Sequence, residues 1–226
     1  MRRRTVIISG LAAGLASPRR SRAAGNPVVL ELFTSQGCSS CPPADAFLGE
    51  LARRPDVIAL AWHVDYWNNL GWRDPFANRQ WTERQRRYAN YLREEVYTPA
   101  MVVNGSAMVV GSDRRAVAQA MEQARSPTAN VTLRRTASGL EAEVIGLTAT
   151  ANAVLAFYDP EHATAVGAGE NTGRHLKEYR VVREAHETSV SGNRTTLPAI
   201  PVGQGAALLL RDANWHIIGA ADLPPA

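Results

Sequence analysis

Cys38 and Cys41 are the two cysteines of this 226-residue chain, three positions apart in FTSQGCSSCPPAD (residues 33–45). Thiols at that spacing can exchange disulfides, supply half of a metal site, or close a small structural ring. The ring is the poorest use. Chain entropy gives a loop of about four residues roughly 2 kcal/mol, against roughly 3 for about fifteen, and so small a ring disfavours good disulfide geometry. Zinc in a closed structural site takes four ligands, and the others would have to come from five scattered histidines or from carboxylates. Copper is easier to serve, since two thiolates and one imidazole suffice for a soft metal, and His63 is the obvious third ligand. Disulfide exchange fits the position best. The pair follows an apolar strand and opens a helix, so Cys38 is expected where unpaired N–H groups and the positive helix end converge. That setting favours a thiolate. Cys41, one turn on, can attack a mixed disulfide at Cys38 and release the partner. Pro42 and Pro43 fall in the first turn, where a missing N–H costs little.

The elements that position the pair are legible on both sides of it. VVLELF (28–33) is a short β-branched run that reads as a buried strand, and VIALAWHV (57–64) as another. Between them Ala44, Phe47, Leu48 and Leu51 recur at helical spacing, and RRP (53–55) ends the helix. Strand, helix and strand at this distance make a βαβ unit with parallel strands and a right-handed crossover. The aromatic-rich stretch DYWNNLGWRDPF follows. Asp74-Pro75 is a helix start, and Trp81, Tyr88 and Leu92 share one face of a helix running to about Glu95. TPAMVVNGSAMVVGS reads as two strands around an Asn104-Gly105 turn. Ser112 can cap a last helix carrying Ala116, Val117, Ala120, Met121 and Ala124.

Composition changes at RSPT (125–128). Beyond it, VTLRR, LEAEVIG, AVLAFY, YRVVREA, AALLL and WHIIGAA are separated by Gly, Asn and Pro turns, the pattern of an antiparallel β-rich domain. GAGENTGR (167–174) has the glycines of a phosphate loop but neither its lysine nor a following helix, and reads as a hairpin loop. His162, His175, His186 and His216 form no spacing motif. His63, Asp65 and Trp67 alternate on one side of a strand end, either as a polar rim beside the cysteines or as packing.

Charge separates the leader from the rest. Arg2, Arg3, Arg4, Arg19, Arg20 and Arg22 precede Gly25 with no acidic residue among them, so the formal charge of +4 becomes −2 without that segment. A chain of −2 has no general attraction to phosphate backbones, which excludes nucleic acid as an electrostatic partner. Residues 1–23 read as an export signal, possible by the twin-arginine route. A positive start precedes the apolar VIISGLAAGLA and small residues before a cleavage after Ala23. The mature protein is expected outside the cytoplasm, periplasmic or secreted, without a membrane span.

VVLELFTSQGCSSC with the downstream YTPAMVVNG resembles thioredoxin-fold proteins, and DsbA-like disulfide oxidoreductases most. The order βαβ, helical insertion (about 66–96), then ββα is theirs, without the leading strand and helix of thioredoxin. The resemblance implies a thioredoxin-like α/β domain over 27–126, followed by the β-rich domain over 128–226. It implies that Thr98-Pro99 is the cis-proline loop that faces the cysteine pair. It matches Glu31 to the buried acid that assists proton transfer only if the loop before Cys38 is one residue longer here; otherwise Glu31 is a strand residue at a polar edge. Ser39-Ser40 is neither the Gly-Pro of reducing thioredoxins nor the Pro-His of the oxidising DsbA type. FTSQGCSSCPPAD, WHVDYWNNLGWRDPFA with RQRRYA, and GENTGRHLKEYRVVRE are together similar to an exported bacterial thioredoxin-like family catalogued as a domain of unknown function.

The function expected from residues and resemblance is thiol–disulfide exchange on protein or peptide thiols. Cys38 is the nucleophile, Cys41 resolves, Pro99 holds substrate backbone with Thr98 beside it, and no cofactor is expected, the redox-active group being the Cys38–Cys41 disulfide itself. With one pair present, an external redox partner must reset it. A copper-binding module using Cys38, Cys41 and His63, and a non-catalytic binding protein on the same fold, are the alternatives.

Overall fold

The computed structural model describes residues 26–226. The expected export signal lies outside the described residues. Among the described residues no helix is long and apolar enough to cross a membrane.

Strand β1 (Val28–Thr34) is buried from Val29 onward. It pairs in parallel with β2 (Val57–His63), the crossover being helix α1 (Pro42–Leu51), and antiparallel with β3 (Ala100–Val103). Strand β4 (Ala107–Val110) completes this side through the turn at Asn104 and Gly105, whose φ angles are 45° and 64°. Side chains alternate across the sheet, and both faces are covered. Leu30 and Leu32 pack with Ala44, Phe47 and Leu48 of α1 and Val117 of α3 (Arg114–Gln123). Val29, Phe33, Leu60 and Trp62 pack on the other face with Trp81 and Tyr88 of α2 (Arg79–Leu92).

Two helix starts differ from their sequence expectation, each because another polar residue makes the cap. Asp74 does not begin a helix: its carboxylate is taken by His63 and by the Gln36 and Phe76 amides. Helix α2 begins instead after Asn78, whose side chain accepts from the Gln80 amide. In α3 the cap is Asp113, not Ser112, because its carboxylate accepts from the Arg115 and Ala116 amides.

The second half contains only strands, yet its sheet is not separate. Strands β7 (Ala151–Ala165), β8 (His175–Val190), β10 (Gly205–Arg211) and β11 (Ile217–Leu223) extend the first sheet, giving the order β11-β10-β7-β8-β2-β1-β3-β4. The compositional change near residue 127 is therefore no break in the sheet. The joint is a short parallel pairing of β2 with β8, Ala61 opposite Val181. Every residue of β2 is buried, so an uncovered outer edge would strand apolar side chains and backbone groups in water. Arg180, at φ 56°, reinforces the joint: its Nε donates to the Ala59 carbonyl at 2.9 Å and its guanidinium lies 3.8 Å from the Tyr158 ring centre. Strands β5 (Asn130–Thr136), β6 (Gly139–Ile145) and β9 (Arg194–Leu197) form a three-stranded sheet. Val131, Leu133, Leu140 and Val144 from it meet Leu155, Phe157, Leu208 and Leu210 of the large sheet in a second core.

Helix α1 approaches β8 through Gly49, where an added Cβ would lie 2.3 Å from Cδ2 and 2.8 Å from Cγ of Tyr179. Gly49→Ala is expected to lower the unfolding free energy by about 1–3 kcal/mol through overpacking, read as a reduced urea midpoint at unchanged slope.

Candidate functional site

Cys38 and Cys41 are joined by a disulfide, with Cα atoms 5.4 Å apart. Both residues are fully buried, whereas Ser39 and Ser40 between them are exposed. Cys41 occupies the N-cap of α1, with Pro42 and Pro43 following. The first-turn N–H groups expected to serve Cys38 are engaged elsewhere. The two prolines have none, the Ala44 and Asp45 amides bond the Cys41 carbonyl, and the Cys41 amide bonds the Cys38 carbonyl. The Ser40 hydroxyl, 3.4 Å from the Cys38 sulfur, is a polar neighbour that remains.

The Thr98-Pro99 bond is cis. Three contacts hold this loop: Gln85 Nε2 donates to the Tyr97 carbonyl at 2.5 Å, Trp67 Nε1 to Thr98 Oγ1 at 2.9 Å, and the Gly111 amide to the Pro99 carbonyl at 2.9 Å. Gly111 lies against both Ala44, in the first turn of α1, and Pro99. Trp67 likewise abuts Gly37, the residue before Cys38. The cysteine loop and the Pro99 loop thus share neighbours on two sides.

Gln36, two residues before Cys38, organises the other side. Its amide donates to Asp74 Oδ2 at 2.8 Å and its side-chain oxygen accepts from Trp72 Nε1 at 3.0 Å. Its Nε2 donates to Thr164 Oγ1 and Glu178 Oε2, each at 2.9 Å. The β7–β8 connection, read from sequence as a hairpin loop, is one and reaches this spot. Asn171 is buried and donates to the Gln36 carbonyl at 2.9 Å and the Cys38 carbonyl at 3.0 Å. Glu170 accepts from the Ser39 amide at 3.1 Å, and hydrogen bonding by the Ser39 side chain, then by that amide, holds its carboxyl below the usual range. Neither residue carries a sequence signal; their role arises from contacts 131 to 135 positions long.

Under the loop lies a buried group of ionisable residues. Thr34, Asp45 and His63 sit on the α1 side of the sheet with Asp74 and Glu178 near them. Asp45 follows Cys41 by four positions, one helical turn. Burial pushes its carboxyl up to about 7, against the partial relief of nearby His63. His63 is opposed by burial, but Asp74, with Oδ2 2.7 Å from Nδ1, outweighs this and raises the imidazole to about 9. Asp74 is correspondingly held down, His63 prevailing over burial, while burial raises Glu178.

The structure bears on two alternatives that the sequence left open. Glu31 lies on the opposite sheet face from α1, in a buried two-pronged pair with Arg84 (Nε–Oε2 2.7 Å, Nη2–Oε1 3.0 Å) and a 2.5 Å bond from the Tyr88 hydroxyl. Strand alternation puts it there with Val29 and Phe33, so it is a structural ion pair and not an acid beneath the cysteines. His63 is on the cysteine side but is committed to Asp74. Among the described residues no group of three or more His, Cys, Asp or Glu side chains is arranged to hold a metal, so Cys38, Cys41 and His63 do not converge as a copper site in this form.

These features define a mixed α/β protein with one large sheet, few helices and a covered disulfide at a strand-to-helix junction. The chain belongs to the family described as a protein of unknown function (DUF1223), which matches residues 29–206. It is similar to an Agrobacterium tumefaciens protein, AGR_C_4864, known from an X-ray crystal structure. That likeness has 31% identity and a TM-score of 0.76 over 88% of this chain and 94% of that one. HBP35 of Porphyromonas gingivalis shares the fold at 13% identity, with a TM-score of 0.57 over 89% of this chain and 76% of that one. No curated protein matches.

The buried ionisable group gives a pH dependence of fixed sign. The fold favours protonated Asp45, so that contribution is greatest below the ordinary value of 3.8 and is lost as pH rises through about 7. It also favours charged His63, whose contribution is complete below 6.5 and lost as pH rises through about 9. Both slopes run the same way. The urea midpoint is expected to fall between about pH 4 and 9, and Asp45→Asn to flatten the lower half of that decline.

Proposed function

We propose that this chain is a thioredoxin-like thiol–disulfide oxidoreductase of the periplasm or the exterior, acting on protein or peptide thiols through Cys38 and Cys41. The observation that carries the reading is the disulfide itself, set between a strand and a helix and sharing neighbours with a cis Thr98-Pro99 loop. The resemblance to DsbA-like enzymes and the leader-like first 23 residues support it.

The chemistry balances with the groups present. A substrate thiolate attacks the Cys38 sulfur, the Cys38–Cys41 bond breaks, and its electron pair goes to the Cys41 sulfur. Neutral Asp45, whose carboxyl titrates near 7, supplies the proton to that leaving thiolate. A second substrate thiolate then attacks the substrate sulfur of the mixed disulfide and expels the Cys38 thiolate. The substrate leaves as a disulfide and the pair has gained two electrons, which an external redox partner removes. The reverse sequence reduces a substrate disulfide, with Cys38 attacking and Cys41 resolving. Thr98 and Pro99 line the approach for substrate backbone.

Both sulfurs are covered, so substrate access requires the 166–174 loop to lift from Ser39 and Cys38. Asn171→Ala is expected to speed reduction of the disulfide by dithiothreitol by about tenfold, the loss of two anchoring bonds being enough for that factor. An unchanged rate would locate the cover elsewhere. For the function, Cys41→Ser is expected to trap a mixed disulfide through Cys38 in cells, and Cys38→Ser to trap none. A Cys38 thiol titrating at about 8.5 or above, the free-cysteine value, together with an empty trap, would overturn the reading.

A further inference from the structure

On the sheet face away from α1 a cleft of about 430 Å³ opens, walled by Trp62, Trp81 and Val154 and edged by Arg87, His186 and Glu187. Arg84 also lines it. The side chains there leave an unmet demand of one kind. Arg84 spends Nε and Nη2 on Glu31 and Tyr88, but among the described residues its buried Nη1 has no hydrogen-bond acceptor. The indole Nε1 of Trp62 has none either, and the Arg84 guanidinium carbon lies 4.8 Å from that indole ring. A third buried donor without an acceptor, Nη1 of Arg211, belongs to the same neighbourhood: Arg211 and Arg84 lie 3.7 and 5.8 Å from the Trp215 ring centre. Guanidinium and indole N–H groups donate and never accept. A buried donor left without an acceptor is costly, and the two that line the cleft, on Arg84 and Trp62, ask for an acceptor-only group.

Glu187 answers in part. Its Oε2 accepts from Arg211 Nη2, while Oε1 stops 3.8 Å from Arg84 Nη1, beyond hydrogen-bond reach. Its side chain is 53% exposed, so it reaches in from the rim and is free to swing out. We propose that this cleft binds a small carboxylate with a flat, apolar body. Its carboxylate displaces Glu187 and takes the Arg84 Nη1 and Trp62 Nε1 donors, and its body lies along Trp81 and Val154. The planar two-oxygen end suits the free edge of a guanidinium, and exposed Arg87 adds a cation at the mouth. The Glu31 side of Arg84 keeps it charged and aligned, so the donors are preorganised. The site is independent of the thiol reading and lies on the opposite face of the sheet.

Phenylacetate is the probe, with benzyl alcohol and inorganic phosphate as comparisons, titrated into the full chain while indole N–H signals are followed by proton–nitrogen NMR. Phenylacetate is expected to shift one indole signal downfield saturably, the signal that disappears in Trp62→Phe; benzyl alcohol and phosphate are expected to leave it in place. Arg87→Ala, at an exposed position, is expected to weaken binding by about tenfold, and Glu187→Gln to tighten it by a similar factor. A Trp62 signal unmoved by phenylacetate overturns the proposal. So does binding indifferent to both rim substitutions, and so does binding of phosphate or benzyl alcohol in place of phenylacetate, since each names a different ligand chemistry.

Discussion

Gln36 is bonded to four separate parts of the chain, and the position of the cysteine loop depends on all of them. Its backbone amide reaches Asp74, its side-chain oxygen Trp72, its side-chain nitrogen Thr164 and Glu178, and its carbonyl Asn171. A buried amide has few alternatives: each group left without a partner is costly, so the set closes together or not at all. The loop leading into Cys38 is therefore fixed by the insertion after β2 and by the β7–β8 hairpin as much as by β1 and α1. The disulfide cannot be understood from the βαβ unit that carries it.

The sheet divides its ionisable residues between two faces with different duties. On the face of α1, Asp45, His63, Asp74 and Glu178 crowd together with their proton affinities pulled far apart, the condition for moving a proton near neutrality. On the other face, Glu31 and Arg84 form a paired charge beneath Trp62 and Trp81. One position along β1 separates the two arrangements, since Glu31 alternates with Leu30 and Leu32. Strand parity therefore decides between the two readings that the sequence left open for Glu31.

Sequence resolved the elements well where the signal is local. The periodicity of Ala44, Phe47, Leu48 and Leu51, the Asn104-Gly105 turn and the runs after residue 127 all became the expected helix, hairpin and strands. It failed where a residue had two suitors: Asp74 reads as a helix start but is drawn away by His63. It was silent where partners are far apart in the chain. Asp45 reads as an ordinary acid in a first turn, and only the strands behind it show that it is buried. The apolar AALLL of β10 hints at burial on both faces, though nothing local says that its hairpin partners run on to join β2.

The β7–β8 hairpin, with strands of 15 and 16 residues, serves at once as the sheet's seam and as an anchor of the cysteine loop, through the Cys38 carbonyl and the Ser39 amide. Its cross-strand pairs run from the second core to the tip, interrupted by a register shift at Phe157/Tyr158 and by a skipped pair at Pro160, which has no N–H, opposite Arg180 at φ 56°. A lever of this kind joins what happens at its two ends. One end of the ladder packs on the three-stranded sheet through Leu155 and Phe157, and the other ends in the loop that bonds Cys38 and Ser39. The two halves of the chain thus constrain each other mechanically, and neither could be exchanged for that of a distant relative without its own half of the hairpin.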